Sequence, residues 1–316
     1  MSRIIFVPQY PTPLRYSEWW FYQFPKEFEK RGFEVITLGK NYLNAIKSSP
    51  EMFSPINEAI EFECQQINEY TKIKIYNDDI LFLSDISFPG IFPNILYHKR
   101  CKKQYVFCHA TAINNFDYYA PLKNPKFATE TALSTLFDKV FVGSYYHREK
   151  LINHAKELGW TNTVVTRLPF PPFSPSDNTK KYNFFCSASR PTKQKVNLDL
   201  EIEIESYFKN KKIYRIEASS WEDYYTKLSS CKYLLITSSE ETFGYQVVDA
   251  IINNCIPIAP KAFSYPELIP EEYLYPVKGD VSKIVEVIES VDSLPELKCK
   301  REMELFYDKI VYEMRG

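Results

Sequence analysis

Short runs of β-branched and aromatic residues alternate along this chain with longer segments of helical spacing, and the two kinds take turns almost from end to end. That alternation predicts parallel α/β layers. In the first half, strands are expected at 4–7, 33–38, 79–83, 104–108, 139–142 and 163–167. Helical spacing fills the gaps: a helix capped by Ser17 and running to about Lys30, a stretch over 41–70 interrupted near Pro50 and Pro55, then 94–101, 129–137, and 146–158 behind a Ser144 cap. A second series follows, with strands at 183–187, 212–217, 233–237 and 256–259, helices at 196–208, 221–230 and 245–254, and tail helices at 281–291 and 294–314.

Between the two series, Pro169, Pro171, Pro172 and Pro175 fall within seven residues, which neither a helix nor a central strand accepts, so this stretch is expected to be a stiff linker. A length of 316 residues also suits two domains. The expected layout is a first domain over 1–168, a linker over 169–178, a second domain over 179–293, and a C-terminal helix over 294–316 able to pack back on the first domain.

Composition narrows the picture modestly. A net charge of -1 gives no global electrostatic reason to expect nucleic acid or an anionic membrane, and 45% hydrophobic residues support proper cores. Seven cysteines show neither C-x-x-C spacing nor histidine pairing, and are expected to be reduced and mostly buried. With no signal-like start and no long apolar run, the expectation is a cytoplasmic protein without a membrane span. Oligomeric state is not legible.

The chemistry concentrates in two places. The first is the junction from Ser238 to Ala250, where Glu241 is expected in a turn and Asp249 in the following helix. On a helical wheel Val248, Ile251, Ile252 and Cys255 share one face and Asp249 lies about 100° from it, so Asp249 is expected to stand clear and meet a ligand. Gly244 would let backbone approach that ligand, and the helix N-terminus suits a phosphate. The second place is Ser187 to Lys195, where Arg190 and Lys195 would project from the carboxyl end of a parallel strand. Two cations and nearby amides are what a diphosphate needs as charge develops on it.

Taken in order, Arg190-x4-Lys195, Glu241-x-Phe243-Gly244-x4-Asp249-Ala250, Pro257, and Pro266-Glu267-Leu268-Ile269 resemble the retaining glycosyltransferases of GT-B fold, the glycogen-synthase-like and sucrose-synthase-like group. The resemblance covers roughly residues 165 to 290. It implies two Rossmann-like domains with parallel sheets facing across a cleft, closing about the linker, and a nucleotide diphosphate sugar held by the second domain. By position it implies that Ser189, Arg190 and Lys195 bind the donor diphosphate. Glu241 would lie beside sugar hydroxyls, Thr242, Phe243, Gly244 and Tyr245 would face sugar and phosphate, and Asp249 would hold the ribose in place of the group's usual Glu. The stretch 264–275 is also similar to a branch that mannosylates queuosine in transfer RNA. The implied reaction is sugar transfer with retention and without a metal or cofactor, the donor being a UDP or GDP sugar.

The first half departs from that group, because Pro8 to Trp20 carries three prolines where a Gly-rich loop is usual. Tyr10, Arg15, Glu18 and Trp19, with Asp117 and Tyr118, are the candidate acceptor residues, since aromatic faces and a guanidinium stack on planar groups. The alternative for this loop is an ordinary connection with Trp19 and Trp20 packed inside. His109, at a strand end, is placed by the resemblance near the reacting carbon, and is the fourth candidate catalytic residue with Arg190, Lys195 and Glu241. The basic run His98 to Lys103 is either a solvated helix end or a phosphate contact. A modified base in DNA or RNA is the preferred acceptor, with a glycan or small molecule as the alternative; an epimerase and a silent sugar-nucleotide-binding module are the rival functions.

Overall fold

The structure is a computed structural model that describes residues 2–43, 56–116, 119–156, 158–175, 182–187, 195–209, 212–277 and 281–316. The chain divides into two compact units, Met1–Pro169 with Glu304–Gly316, and Phe170–Met303.

In the first unit, strands β1 (Arg3–Val7), β2 (Glu34–Thr37), β3 (Ile80–Leu83), β4 (Lys103–Phe107), β5 (Lys139–Val142) and β6 (Thr163–Val165) form a sheet ordered β2-β1-β3-β4-β5-β6, with every pairing parallel. The central strands are apolar on both faces because helices cover both. β3 is wholly buried along Ile80–Leu83. On one face α1 (Tyr16–Lys30) stacks Phe24 on Phe6 with ring centroids 5.6 Å apart. On the other, α2 (Ile56–Lys72), α3 (Lys123–Ser134) and α4 (Tyr145–Ala155) lie around a core that includes Tyr70, Phe92, Phe127 and Trp160.

The second unit has strands β7 (Tyr182–Ser187), β8 (Tyr214–Arg215), β9 (Cys231–Leu235), β10 (Ile256–Pro260) and β11 (Leu274–Tyr275), ordered β11-β10-β9-β7-β8 and again parallel. Its helices are α5 (Leu198–Tyr207), α6 (Trp221–Ser229), α7 (Tyr245–Ile252), the single turn α8 (Tyr265–Leu268), α9 (Val281–Ser290) and α10 (Lys300–Glu304). The last helix, α11 (Phe306–Arg315), belongs to the first unit. There Phe306 packs against Trp20, Phe24 and Phe107, and Lys309 Nζ donates to the Val165 carbonyl at 2.6 Å.

Four local expectations are corrected. Ser17 does not cap α1: the helix begins at Tyr16 after Arg15, and Ser17 Oγ accepts from the Thr12 amide at 3.3 Å. The helix expected over 94–101 is a 3-10 turn over Phe92–Tyr97, with Pro93 in its first turn. The helix expected over 129–137 starts at Lys123. Finally, 294–299 is not helical. The Lys298 amide donates to the Leu268 carbonyl at 2.8 Å and Leu297 and Cys299 are buried, so tertiary contact holds this stretch against its helical spacing.

Candidate active site

In a parallel sheet all strands end at one edge, and in the second unit the chemistry gathers there. β9 delivers Ile236 and Thr237, both buried, and the Ile236 amide continues the ladder by donating to the Ile258 carbonyl at 2.9 Å. The chain then turns at Ser238–Gly244. Glu241 is half-buried, and its Oε1 accepts from the amides of Thr242 at 2.8 Å and Phe243 at 3.2 Å. Gly244 starts α7 with φ +96°, a left-handed conformation that costs any other residue. A β-carbon there would also come within 3.0 Å of the Tyr265 ring and 3.1 Å of Leu268. Glycine is thus required by the turn and by Tyr265 beneath it.

Lys195 sits beside this turn, although it is distant from Ser238 in sequence. The Ser239 amide donates to the Lys195 carbonyl at 3.0 Å, Val196 bridges Ser238 in antiparallel fashion, and the Asn197 amide donates to the Thr237 carbonyl at 3.1 Å. Asn197 then caps α5, accepting from the Leu200 amide. The backbone of Lys195–Asn197 and the start of the Glu241 turn are therefore stitched together. Behind them, Glu201 is buried and takes the Thr237 hydroxyl at 2.8 Å on one oxygen and Arg215 on the other. Ser189 and Arg190 lie outside the described residues.

Asp249 departs from the wheel argument. It is 5% exposed, and Tyr225 donates to its Oδ1 at 2.9 Å while the Tyr224 hydroxyl lies 3.5 Å from Oδ2. Burial pushes its carboxyl up to about 7, against the two tyrosine hydrogen bonds that favour the charged form. The reason is that α7 is apolar on more sides than one: Val247, Val248, Asp249 and Ala250 are its buried residues. Asp249 does not stand clear; it is enclosed with Tyr224, Tyr225, Trp221 and Phe173, the last two stacked at 4.9 Å.

In the first unit, His109 follows β4 and is 8% exposed. Tyr16 stacks on its ring at 3.9 Å and 27°, while Trp20 and Phe107 close at 4.4 and 4.7 Å. Burial, and next the nearby His147, holds the imidazole well below the usual histidine range, so it is neutral, and its Nε2 has no hydrogen-bond partner. The acceptor platform is corrected. Tyr10 and Trp19 are buried, Tyr10 in a cluster with Phe21, Ala59 and Phe62, so the loop's aromatics pack inward. Glu18 Oε2 accepts from the amide of Leu14, whose φ is +56°, and so ties the proline loop to α1. Arg15 precedes α1 and is half-buried; Asp117 and Tyr118 lie outside the described residues.

Three members of the basic run hold backbone carbonyls. Lys99 Nζ donates to the carbonyls of Tyr70, Thr71 and Ile73, capping the end of α2, and Arg100 and Lys103 donate to the carbonyls of Leu136 and Met314. It precedes β4, at the sheet edge opposite His109. Spacing did not mark Tyr16, Tyr224, Tyr225 or Tyr265 as site neighbours, and in an aromatic-rich chain such residues carry no distinguishing signal. Among the described residues no group of three or more His, Cys, Asp or Glu is arranged to hold a metal, and no helix is long and apolar enough to cross a membrane. Cys64 is exposed and the other six cysteines are buried, none of them in a disulfide.

No protein-family model matches the sequence. Solved structures do match. Sucrose-phosphate synthase from Thermosynechococcus elongatus aligns over 99% of this chain and 95% of its own, with 13% identity and a TM-score of 0.66. Anabaena HepE in complex with UDP-glucose aligns over 99% and 95%, with 14% identity and a TM-score of 0.62. The lipopolysaccharide outer core galactosyltransferase WaaB aligns over 99% and 98%, with 15% identity and a TM-score of 0.60. The fold is GT-B. At these identities the GT-B likeness is one of architecture, and the chemistry must come from the residues above.

Proposed function

We propose that this GT-B chain is a glycosyltransferase that takes a sugar from a nucleotide diphosphate sugar, with the donor at the Lys195–Glu241–Gly244 edge of the second unit. The observation that supports this is the backbone stitching of Lys195 to Ser238–Ser239, which sets the Lys195 backbone beside the Glu241 turn at a strand-end edge. Donor-bound HepE gives the same direction, since that GT-B protein holds UDP-glucose. Lys195, with Arg190, would take up charge on the departing diphosphate, the work a metal would otherwise do. Glu241 would accept from sugar hydroxyls. His109 is the candidate reactive group of the first unit, its neutral Nε2 able to accept a hydrogen bond. With retention, the leaving phosphate would take the acceptor's proton on the face it departs from, and the anomeric configuration of the product reports that outcome.

We take a hydroxyl on a glycan or small molecule as the acceptor. Two features that could meet a nucleic-acid base are otherwise engaged: Lys99, Arg100 and Lys103 of the basic run donate to backbone carbonyls, and Tyr10 and Trp19 are core. Lys195→Ala should lower turnover on the order of 10²-fold. Full turnover in that variant would remove the donor-site assignment.

A further inference from the structure

The proline loop before α1 stands where the group this chain resembles has a Gly-rich loop, and its bonds converge on the start of the helix. Ser17 Oγ accepts from the Thr12 amide at 3.3 Å and Glu18 Oε2 from the Leu14 amide at 2.8 Å, while the Arg15 amide donates to the Thr12 carbonyl at 3.2 Å. Tyr16 is the first residue of α1, so the two residues after it tie it to the loop. Its ring stacks on His109 at 3.9 Å and 27°, and Trp20, one turn further along α1, meets the same imidazole at 4.4 Å and 61°. Tyr16 and Trp20 also pack edge-on, with centroids 5.5 Å apart. Tyr16 is half-buried where His109 is 8% exposed, so the tyrosine is the outer ring of the pair. A stacked ring restricts the side-chain torsions of the imidazole and shields one face from water, which suits a group that must meet a substrate in one orientation.

We propose that Tyr16 is a positioning residue for His109: the proline loop fixes the tyrosine at the start of α1, and the tyrosine ring fixes the imidazole and keeps water from one face. This rests on the reading of His109 as the reactive group of the first unit. Tyr16 acts through His109 and does not itself touch the reacting atoms. Burial first, and then His147 of α4, keeps the imidazole neutral against the Ser84 backbone, which favours the charged form. Replacing Tyr16 relieves the burial and leaves His147 and Ser84 in place.

The test compares Tyr16→Phe, Tyr16→Ala, His109→Ala and the double alanine variant in the full chain, with UDP-glucose as probe. Alanine suits the first turn of a helix, so Tyr16→Ala should keep the wild-type fold. Without ligand, the ring protons of His109 should stay unshifted from about pH 8 to 6 in wild type and Tyr16→Phe, whereas in Tyr16→Ala they should titrate near the ordinary value of about 6.5. Tyr16→Ala should release UDP from UDP-glucose about tenfold more slowly at an unchanged KM, Tyr16→Phe should restore the rate, and the double variant should be no slower than His109→Ala. A His109 titration that is the same in Tyr16→Ala as in wild type, or losses that add in the double variant, would overturn the proposal. If the wild-type protein releases no UDP, that counts against this donor, and the ligand-free titration then decides the role of Tyr16 by itself.

Discussion

Two single residues in the second unit carry related lessons. Gly244 was expected to let backbone approach a ligand, whereas the structure shows a need of the turn itself, a φ of +96°. Gly244→Ala is expected to cost about 1 to 3 kcal/mol of stability from backbone strain and the Tyr265 contact, read as a lowered denaturation midpoint. Asp249 was legible as an acid in a helix but not as a buried one, since its enclosure depends on Tyr224 and Tyr225 from another helix. Its folded value near 7 lies above the ordinary 3.8, so the folded state binds the extra proton. The stability it contributes is present below about pH 4 and is lost as pH rises toward 7, on the order of 4 kcal/mol over the window. Asp249→Asn should flatten that decline, measured by urea unfolding at pH 4, 5.5 and 7; an unchanged slope would mean that Asp249 is ionised in the fold.

Elements were read better than their ends. Strands buried on both faces announce themselves as continuous apolar runs, so β1, β3, β4 and β5 needed no tertiary knowledge. By contrast β8 and β11 are two residues long each, and the 294–299 stretch is held by Leu268, so local pattern had little or nothing to work with. The basic run shows how charge in sequence hides its use. Lys99 caps α2 through three carbonyls, and Lys99→Met should lower stability by about 1 kcal/mol while leaving donor binding intact. The helix α4 brings His147 near His109, and burial pushes His147 down to about 3. Depressed histidines contribute stability above pH 6.5 that is lost as pH falls through their folded values. His147→Gln should therefore weaken the acid dependence of unfolding, followed by tryptophan fluorescence between pH 6.5 and 4.

At the scale of the whole chain, the two α/β series and the proline-rich stretch were visible, whereas the return of the C-terminal helix was a geometric possibility that only structure could place. α11 completes the first unit's core around Trp20, Phe24 and Phe107, so Phe306→Ala should cost about 3 to 5 kcal/mol, detected as an early unfolding transition. The GT-B architecture explains why a site can sit at a strand-end edge, yet many chemistries share a fold, and the donor assignment rests on Lys195, Glu241 and Gly244. The direct measurement is a thermal-shift titration of wild type and Lys195→Ala with UDP and GDP sugars. At 100 times the dissociation constant a donor should stabilise wild type by about 2.7 kcal/mol, and Lys195→Ala should lose most of that shift. No stabilisation by any nucleotide sugar, or an equal shift in Lys195→Ala, would contradict the account.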